Sequence, residues 1–302
     1  MIHYFSIQET ESIKDYYSEN GYVVVKDVIS EAELDSFSKS YEHLKSSKGY
    51  YFRSQDTNRA ERLQINEKGF IERSILHPNE LVFQKGFKSL TEKIVYSNRI
   101  SQLLSLIGSY EKYIVWQTMF FDKSTGTVPH QDHYYLDSTP PGNLIACWFA
   151  LETIHEDSGA FFVVPKSHRG PLISKQAENF EDHEEYVVKI KKLIDEQKYE
   201  FQPMPLQKGS VLLWHPFLIH GAFSNQNPNY SRKSFTAHYV PSACSPRASA
   251  PTASTFNPNI LTWKKSNLEQ AKAYLNYVRY WAEVNFRSKN IRPKMEMRSS
   301  EY

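Results

Sequence analysis

Two histidines and one aspartate have the spacing of a metal site. His130 and Asp132 stand two residues apart in VPHQDHYYL. On a β-strand this spacing points both side chains to one face, about 6.6 Å apart along the backbone, so they can share one ion. His220 ends the hydrophobic stretch GSVLLWHPFLIHG, from which a neighbouring strand can deliver a third ligand. Two imidazoles and one carboxylate form a facial triad with open positions, which suits non-haem iron(II) and also zinc.

A polar strand face near residue 232 predicts a binding site for an anion. Alternation in RKSFTAHYV puts Arg232, Ser234, Thr236 and His238 on one face and apolar side chains on the other. An arginine fork can grip a carboxylate with two parallel hydrogen bonds, and small hydroxyls suit its flank. On LIACWFALE the same alternation sets Trp148 between two alanines, which leaves space above its ring; packing in the core is the alternative role for this residue.

Short strands of period two must position these residues. From residue 113 onward, aromatic and β-branched stretches alternate with turn sequences such as STPPGN and EDSG. The predicted strands cover 113–121, 144–152, 159–168, 201–207, 209–221 and 232–240. Several such strands with hairpin-length gaps predict an antiparallel sandwich or barrel.

Helical patterns flank the strands. Before residue 110 the chain reads as mainly helical, apart from a strand at 21–28. Ser30 and Glu33 form a capping-box pattern before apolar residues spaced three and four apart, namely Leu34, Phe37, Tyr41 and Leu44. A Glu/Lys-rich stretch at 171–199 is predicted to be a solvated surface helix without a binding role. A C-terminal helix has a second capping box, Ser266 with Glu269, and a predicted buried stripe of Leu268, Ala271, Leu275, Val278 and Ala282.

Composition argues against several classes of protein. The 302 residues carry 36 Lys and Arg against 34 Asp and Glu, a net charge of +2, which leaves no overall basic field for a nucleic-acid backbone. The longest uncharged apolar runs span about ten residues, half of a bilayer span, so no membrane partner is expected. Two cysteines are too few for a disulfide scaffold and fit a reduced compartment. The opening MIHYFSIQETES lacks a signal-peptide pattern, so we expect a cytoplasmic protein.

These stretches together resemble the phytanoyl-CoA dioxygenase (PhyH) family of iron(II)- and 2-oxoglutarate-dependent oxygenases. The resemblance spans residues 16–241 and is most specific in HQDHYYLDSTPPGNLIACWFALETIHEDSGAFFVVPKSHRG, which combines the His-x-Asp pair, a tryptophan on the next strand, a D-x-G-A turn and a strand ending in V-P-x-S-H. It implies a mainly β fold with flanking helices, a double-stranded β-helix of the jelly-roll, cupin-like type.

No stretch of the sequence reads as a linker, so we expect residues 1–302 to form a single oxygenase domain. In it, 1–110 supply mainly helical support and a lid, 111–241 the jelly-roll core with the helical insertion at 171–199, and 242–302 a C-terminal helix and tail.

The resemblance implies roles for individual residues. His130, Asp132 and His220 are the implied iron ligands, and Arg232 is the implied partner of the distal carboxylate of 2-oxoglutarate. Trp148 matches the aromatic residue that lines the cosubstrate site in the family.

Three further residues are expected beside the cosubstrate. Gln117, placed by alternation on one strand face with Val115 and Met119, resembles a polar residue that contacts 2-oxoglutarate in the family. Some members carry a hydroxyl residue where this chain has an alanine at 222, so Ser224 or Thr236 is expected to supply that contact.

The implied activity is hydroxylation of an unactivated C–H bond of a small-molecule metabolite, with iron(II), 2-oxoglutarate and O2, and release of succinate and CO2. Asp132 fills the position that halogenases of the family leave to Gly or Ala, which favours hydroxylation; desaturation and cyclisation are left open. The alternatives are a zinc-dependent hydrolase on the same three residues and a cupin-like binding protein without turnover. We expect a monomer or homodimer. Candidates for substrate contact are a lid at 50–76 and Arg53, Phe120, Tyr134, Tyr135 and Asp137.

Overall fold

The computed structural model describes residues 2–174, 183–246, 254–256 and 267–286. Within these ranges the helices are α1 (Thr10–Asn20), α2 (Glu31–Ser46), α3 (Lys85–Val95), α4 (Asn98–Gly108), α5 (His183–Gln197) and α6 (Asn267–Phe286). The strands are β1 (Tyr4–Phe5), β2 (Tyr22–Val25), β3 (Tyr51–Arg53), β4 (Ala60–Arg62), β5 (Ile75–Leu76), β6 (Tyr113–Phe121), β7 (Ser138–Thr139), β8 (Ile145–Ala150), β9 (Phe161–Val163), β10 (Gln202–Met204), β11 (Val211–Trp214), β12 (His220–Ala222), β13 (Ser234–Pro241), β14 (Ser245–Pro246) and β15 (Ser254–Phe256).

One large sheet carries most of the strands. Its order is β1, β2, β11, β8, β13, β6 and β15, and β5 pairs with β6. The strands β8 and β13 lie inside the sheet and are buried along their whole length, because both of their faces are covered. One face packs on the helices: Phe120 and Phe235 lie in one apolar cluster with Phe37 of α2 and Phe87 of α3. The helical layer therefore buries the outer face of the sheet.

A smaller sheet covers the other face. Its order is β10, β9 and β12, and an isolated bridge between His130 and His220 extends it. The two sheets meet in a second apolar cluster, where the ring of Trp148 stacks on that of Phe161 with centroids 5.3 Å apart. Two sheets that are antiparallel except for the parallel pair β1–β2 pack face to face with helices outside, which is the jelly-roll architecture that the sequence predicts.

The helix α2 confirms the predicted capping box and buried stripe. Ser30 Oγ accepts a hydrogen bond from Glu33 N, and the Glu33 carboxylate accepts one from Ser30 N at 2.8 Å. The four apolar residues of the predicted stripe are the buried residues of this helix.

A β-bulge corrects one predicted strand face. His238 pairs with Gln117, but the next residue of β13 pairs with Val115, so Trp116 is an extra residue in β6. Val115 therefore lies in the helix-side cluster, whereas Trp116 lies between the sheets. The prediction that Val115 shares a face with Gln117 and Met119 was wrong, because a simple period of two contains no bulge.

Two helices differ from their predicted surroundings. In α5, Tyr186, Ile190, Leu193 and Ile194 are buried, so the stretch is not merely a solvated insertion. In α6, Leu275 and Val278 of the predicted buried stripe are 68% and 58% exposed. The packed face instead carries Tyr277, whose ring lies 5.3 Å from that of Tyr50, because α6 packs on the β3–β4 hairpin. Ser266 lies outside the described residues, and so does the side chain of Glu269.

None of the helices within the described ranges combines the length and apolar character needed to cross a bilayer.

Candidate active site

The three predicted metal ligands converge at one point between the sheets. His130, Asp132 and His220 are buried, and each offers one ligand atom within 4.8 Å of the others. His130 and His220 exchange backbone hydrogen bonds of 2.9 and 3.0 Å, which set their rings side by side. Asp132 begins a 3-10 turn, Asp132–Tyr134, so the pair does not lie on one regular strand as the spacing predicted. The β-bridge and the turn together still aim both side chains at one point.

Backbone carbonyls hold both imidazoles in the orientation that metal binding requires. His130 Nδ1 lies 2.8 Å from Val128 O, and His220 Nδ1 lies 2.9 Å from Leu218 O. Because a carbonyl only accepts, each Nδ1 carries the proton and each Nε2 keeps a lone pair for an ion. Burial, and then the neighbouring His220, lower the pKa of His130 to about 3. His130 is therefore neutral at neutral pH.

The carboxylate of Asp132 divides its two oxygens between the histidines and the protein. Oδ1 lies 3.7 Å from His130 Nε2 and 3.5 Å from His220 Nε2. Oδ2 accepts a hydrogen bond of 2.9 Å from Trp214 Nε1 and lies 3.6 Å from His238 Nε2. Burial alone would raise the pKa of Asp132, but His220 and His238 outweigh it and hold that pKa well below its usual range. Oδ1 is thus the oxygen available to an ion.

The residue between the ligands fixes the segment that carries them. Gln131 is fully buried, and its Nε2 donates to Pro171 O at 3.1 Å and to Phe217 O at 2.9 Å. Its Oε1 accepts from Ile173 N at 3.0 Å, and its backbone N donates to the Tyr186 hydroxyl at 2.8 Å. The insertion at 171–199 therefore supports the ligand segment, a role that its charged sequence did not indicate.

A cavity of about 260 Å³ opens from the three ligands. Arg232 lines it, is 2% exposed, and donates through Nη1 to Gly159 O at 3.2 Å, whereas its Nε has no partner. The guanidinium faces the rings of Phe121 and Trp148 at 5.5 and 5.6 Å. Burial lowers the pKa of Arg232 to about 9, and no carboxylate of the described residues offsets this effect. A buried cation without a counter-charge is costly, so the cavity has a built site for an anion.

The profile of the phytanoyl-CoA dioxygenase (PhyH) family matches residues 17–234. The chain belongs to the phytanoyl-CoA dioxygenase family. Peroxisomal phytanoyl-CoA dioxygenase of Bos taurus is 25% identical over 244 residues, which cover 76% of this chain and 68% of the bovine protein. Phytanoyl-CoA dioxygenase 1 of Oryza sativa subsp. japonica is 27% identical over 256 residues, covering 78% and 82%. The predicted family and enzyme class, a 2-oxoglutarate-dependent dioxygenase, are thereby confirmed.

Solved structures confirm the predicted fold. The non-heme alpha ketoglutarate dependent carbocyclase SnoK from nogalamycin biosynthesis has a TM-score of 0.57 and 18% identity, covering 78% of this chain and 86% of its own. EctD from S. alaskensis, solved with 2-oxoglutarate and 5-hydroxyectoine, has a TM-score of 0.54 and 16% identity, covering 76% and 75%.

Besides Arg232, four residues of this PhyH-family chain are predicted to contact the cosubstrate. Three of the four line the same cavity as Arg232. They are Gln117, Trp148 and Thr236. Ser224 lies elsewhere, in a surface depression beside Lys123 and Asn225. Of the two hydroxyl residues considered, Thr236 is the one that the fold brings to the cavity.

Of the residues predicted to contact substrate, Tyr135 lines the cavity, and its ring stands edge-on to that of His130 with centroids 5.4 Å apart. Phe120 is fully buried in the helix-side cluster. Tyr134 stacks on Tyr186 with centroids 3.7 Å apart. The structure places neither Phe120 nor Tyr134 on the cavity wall.

Asp137 and Arg53 also lie off the cavity wall. Asp137 is fully buried and accepts from Ser138 N at 2.7 Å and, through Oδ2, faces His133 Nδ1 at 2.5 Å. Arg53 instead binds the side chain of Asn58, which does line the cavity. Of the predicted lid at 50–76, the residues on the wall are Gln55, Asn58 and Leu76.

Two further side chains lie beside the Asp132 carboxylate, namely Trp214 and His238, and the sequence pattern assigns neither of them to it. The sequence pattern leaves the role of His238 open and indicates for Trp214 only a place in a hydrophobic strand. A signal for Trp214 existed, because alternation in VLLW puts it on the face of Leu212, which pairs with Trp148.

Proposed function

We propose that this dioxygenase binds iron(II) through His130, Asp132 and His220, binds 2-oxoglutarate through Arg232, and hydroxylates a C–H bond of a small-molecule metabolite. We also propose that residues 1–302 form one oxygenase domain. The observation that carries the assignment is Arg232, a buried cation in the same cavity as the three ligands, which no carboxylate of the described residues neutralises. A dicarboxylate that reaches both the ion and the guanidinium fits this arrangement.

The ligand set suits iron(II). Two imidazoles and one carboxylate oxygen lie within reach of a common ion and leave its remaining positions open, as in non-haem iron oxygenases. Bound there, iron(II) with 2-oxoglutarate and O2 supplies the oxidation of the C–H bond, while 2-oxoglutarate is converted to succinate and CO2.

The protein's own residues bind, orient and exclude water. Trp214 holds the distal oxygen of Asp132, so the carboxylate presents a single oxygen to the ion. Thr236 pairs with Trp148 on adjacent strands, and we assign both to the wall beside 2-oxoglutarate, with Gln117 further along the same cavity. The rings of Trp148, Phe161 and Trp214 keep this side of the site dry, which strengthens the contact between Arg232 and a carboxylate.

The experiment adds iron(II) and 2-oxoglutarate to the protein without oxygen and measures the weak visible charge-transfer band of the complex. We expect the band in the wild type and in the control Arg169→Gln, whose exposed arginine contacts Ser18 O and does not line the cavity. We expect no band in Arg232→Gln. On admission of oxygen, succinate should form in the first two proteins and not in the third.

The alternatives give different results. A zinc hydrolase would show no band and would release product from an ester or amide only after zinc is added. A binding protein without turnover would form the band but no succinate. Absence of both the band and succinate in the iron-loaded wild type would refute the proposed function.

A further inference from the structure

The cavity wall carries few charged side chains, and each of them is already assigned to iron(II) or 2-oxoglutarate. Among its described lining residues, Arg232 is the one arginine or lysine and Asp132 the one carboxylate. Asp132 is assigned to the ion and Arg232 to 2-oxoglutarate, so neither of these two side chains is left to pair with a charged substrate. A charged substrate group would therefore enter a partly dry site without a counter-charge, which is strongly unfavourable.

An exposed lining residue of the cavity, Asn58, instead offers a hydrogen-bond donor. Asn58 lines the cavity, and its Oδ1 accepts from Arg53 Nε at 3.1 Å and from Arg53 Nη2 at 2.6 Å. A guanidinium can only donate, so this fork fixes the amide with its oxygen toward Arg53. The Nδ2 group, with two N–H donors, is the part of Asn58 left for a ligand. Asn58 also has a φ of 50°, a left-handed conformation that asparagine tolerates better than most residues.

The segment that carries Asn58 is held from two sides. Asp56 accepts from Ser74 Oγ at 2.7 Å and pairs with Arg73 at 3.1 Å. On the other side, Glu283 of α6 accepts from Ala60 N at 3.2 Å. These contacts hold the backbone of the turn between β3 and β4, and the two hydrogen bonds from Arg53 orient the exposed amide of Asn58 on that turn.

We propose that the part of the substrate that enters the cavity is uncharged and carries a carbonyl oxygen, which accepts a hydrogen bond from Asn58 Nδ2. This inference rests on the proposed function. A primary or secondary amide, a lactone or a thioester has this group, whereas a free carboxylic acid or an amine does not satisfy the charge condition. Arg53 is a positioning residue, because it acts only through the amide of Asn58.

The test uses four probes that share one ring: cyclohexanecarboxamide, cyclohexanecarboxylate, cyclohexylmethylamine and the CoA thioester of cyclohexanecarboxylic acid. Each is titrated without oxygen into the iron(II) and 2-oxoglutarate complex, and the shift of the charge-transfer band gives its dissociation constant. We expect the amide to bind at least about tenfold more tightly than the carboxylate and the amine. Comparison of the amide with the thioester distinguishes a free metabolite from a carrier-linked one.

Variants locate the contact. Asn58→Ala should weaken binding of the amide about three- to tenfold, the effect of one hydrogen bond, and leave the dissociation constant of 2-oxoglutarate unchanged. Asn229→Ala, an exposed asparagine away from the cavity, is the matched control and should change neither. Arg53→Leu should reduce the preference for the amide over the carboxylate, because the freed side-chain amide can turn either group toward the ligand.

The outcomes separate the two proposals. If the band of the iron(II) and 2-oxoglutarate complex never forms, the proposed function fails before any probe is added. If the band forms and the carboxylate or the amine binds most tightly, or no probe shifts the band, the inference about the substrate is overturned and the proposed function stands. An equal loss in Asn58→Ala and Asn229→Ala would also overturn it.

Discussion

Replacement of Trp214 by phenylalanine should weaken the binding of iron(II) about 10- to 100-fold without preventing the binding of 2-oxoglutarate. The indole N–H donates to Asp132 Oδ2 at 2.9 Å, and both side chains are almost fully buried. A hydrogen bond to a charged group contributes about 1.5 to 3 kcal/mol, which corresponds to a factor of about 10 to 150 in an equilibrium constant. Loss of partners that orient metal ligands has a similar effect on metal affinity.

The assay is an anaerobic titration of the metal-free protein with iron(II) in competition with a chelator. Trp116→Phe is the matched control, because Trp116 is buried in the same cluster between the sheets but does not line the cavity. Both substitutions remove part of an indole from that cluster, so the difference between them measures the hydrogen bond to Asp132. At saturating iron, the dissociation constant of 2-oxoglutarate in Trp214→Phe should stay within about threefold of the wild-type value.

Two results would refute this reasoning. If Trp214→Phe binds iron(II) as tightly as Trp116→Phe, the hydrogen bond does not orient the carboxylate. If Trp214→Phe lowers the affinity for 2-oxoglutarate as much as it lowers the affinity for iron(II), the indole belongs to the cosubstrate site and does not act by orienting Asp132.

Three further predictions concern stability. Addition of 2-oxoglutarate to the iron-loaded protein should raise its melting temperature in the wild type but not in Arg232→Gln, because the ligand neutralises a buried cation; an equal rise in both, by calorimetry, would contradict this role. Burial depresses the pKa of His130 to about 3. As the pH falls, the unfolded chain therefore protonates His130 before the folded protein does. The metal-free protein should accordingly lose about 1.4 kcal/mol of its free energy of unfolding per pH unit from about pH 6.5 toward pH 3. His130→Gln should flatten this slope in urea titrations, and an unchanged slope would assign the proton elsewhere. Tyr186→Phe removes the hydroxyl that accepts from Gln131 N, so it should cost about 1 to 3 kcal/mol in the same titrations, whereas Tyr134→Phe, which keeps the ring stack, should cost less than 1 kcal/mol.

The sequence predicts those parts of the site that short-range periodicity controls. The strand β13 is regular from Ser234 to His238, and alternation places Arg232, two residues before the strand, on the cavity face together with Thr236 and His238. For His130 and Asp132 the prediction from a period of two holds only in part: the side chains converge, but a bridge and a turn replace the regular strand. In β6 the same rule fails at Trp116, because an extra residue changes the face of everything before it.

Long-range partners could not be predicted in this way. Gln131 reads as an unremarkable polar residue, yet it is fully buried because 171–173 and 217 close over it. The structural role of such a residue depends on which distant backbone groups the fold brings within hydrogen-bond distance. A single sequence contains no pattern that predicts these long-range contacts.

The proposed substrate contact lies on a different part of the fold from the residues proposed to bind iron(II) and 2-oxoglutarate. Part of the ion and anion sites lies on strands of the two sheets, where backbone pairing fixes positions: His220 on β12, Thr236 on β13 and Trp148 on β8. The proposed substrate contact lies on the β3–β4 turn, which α6 holds through Glu283. We expect substitutions in this turn to change which substrate binds without moving the iron ligands, because β3 and β4 form a two-stranded sheet separate from the sheets that contain β8, β12 and β13. The effect of Asn58→Ala on the amide probe, with 2-oxoglutarate binding unchanged, tests that independence directly.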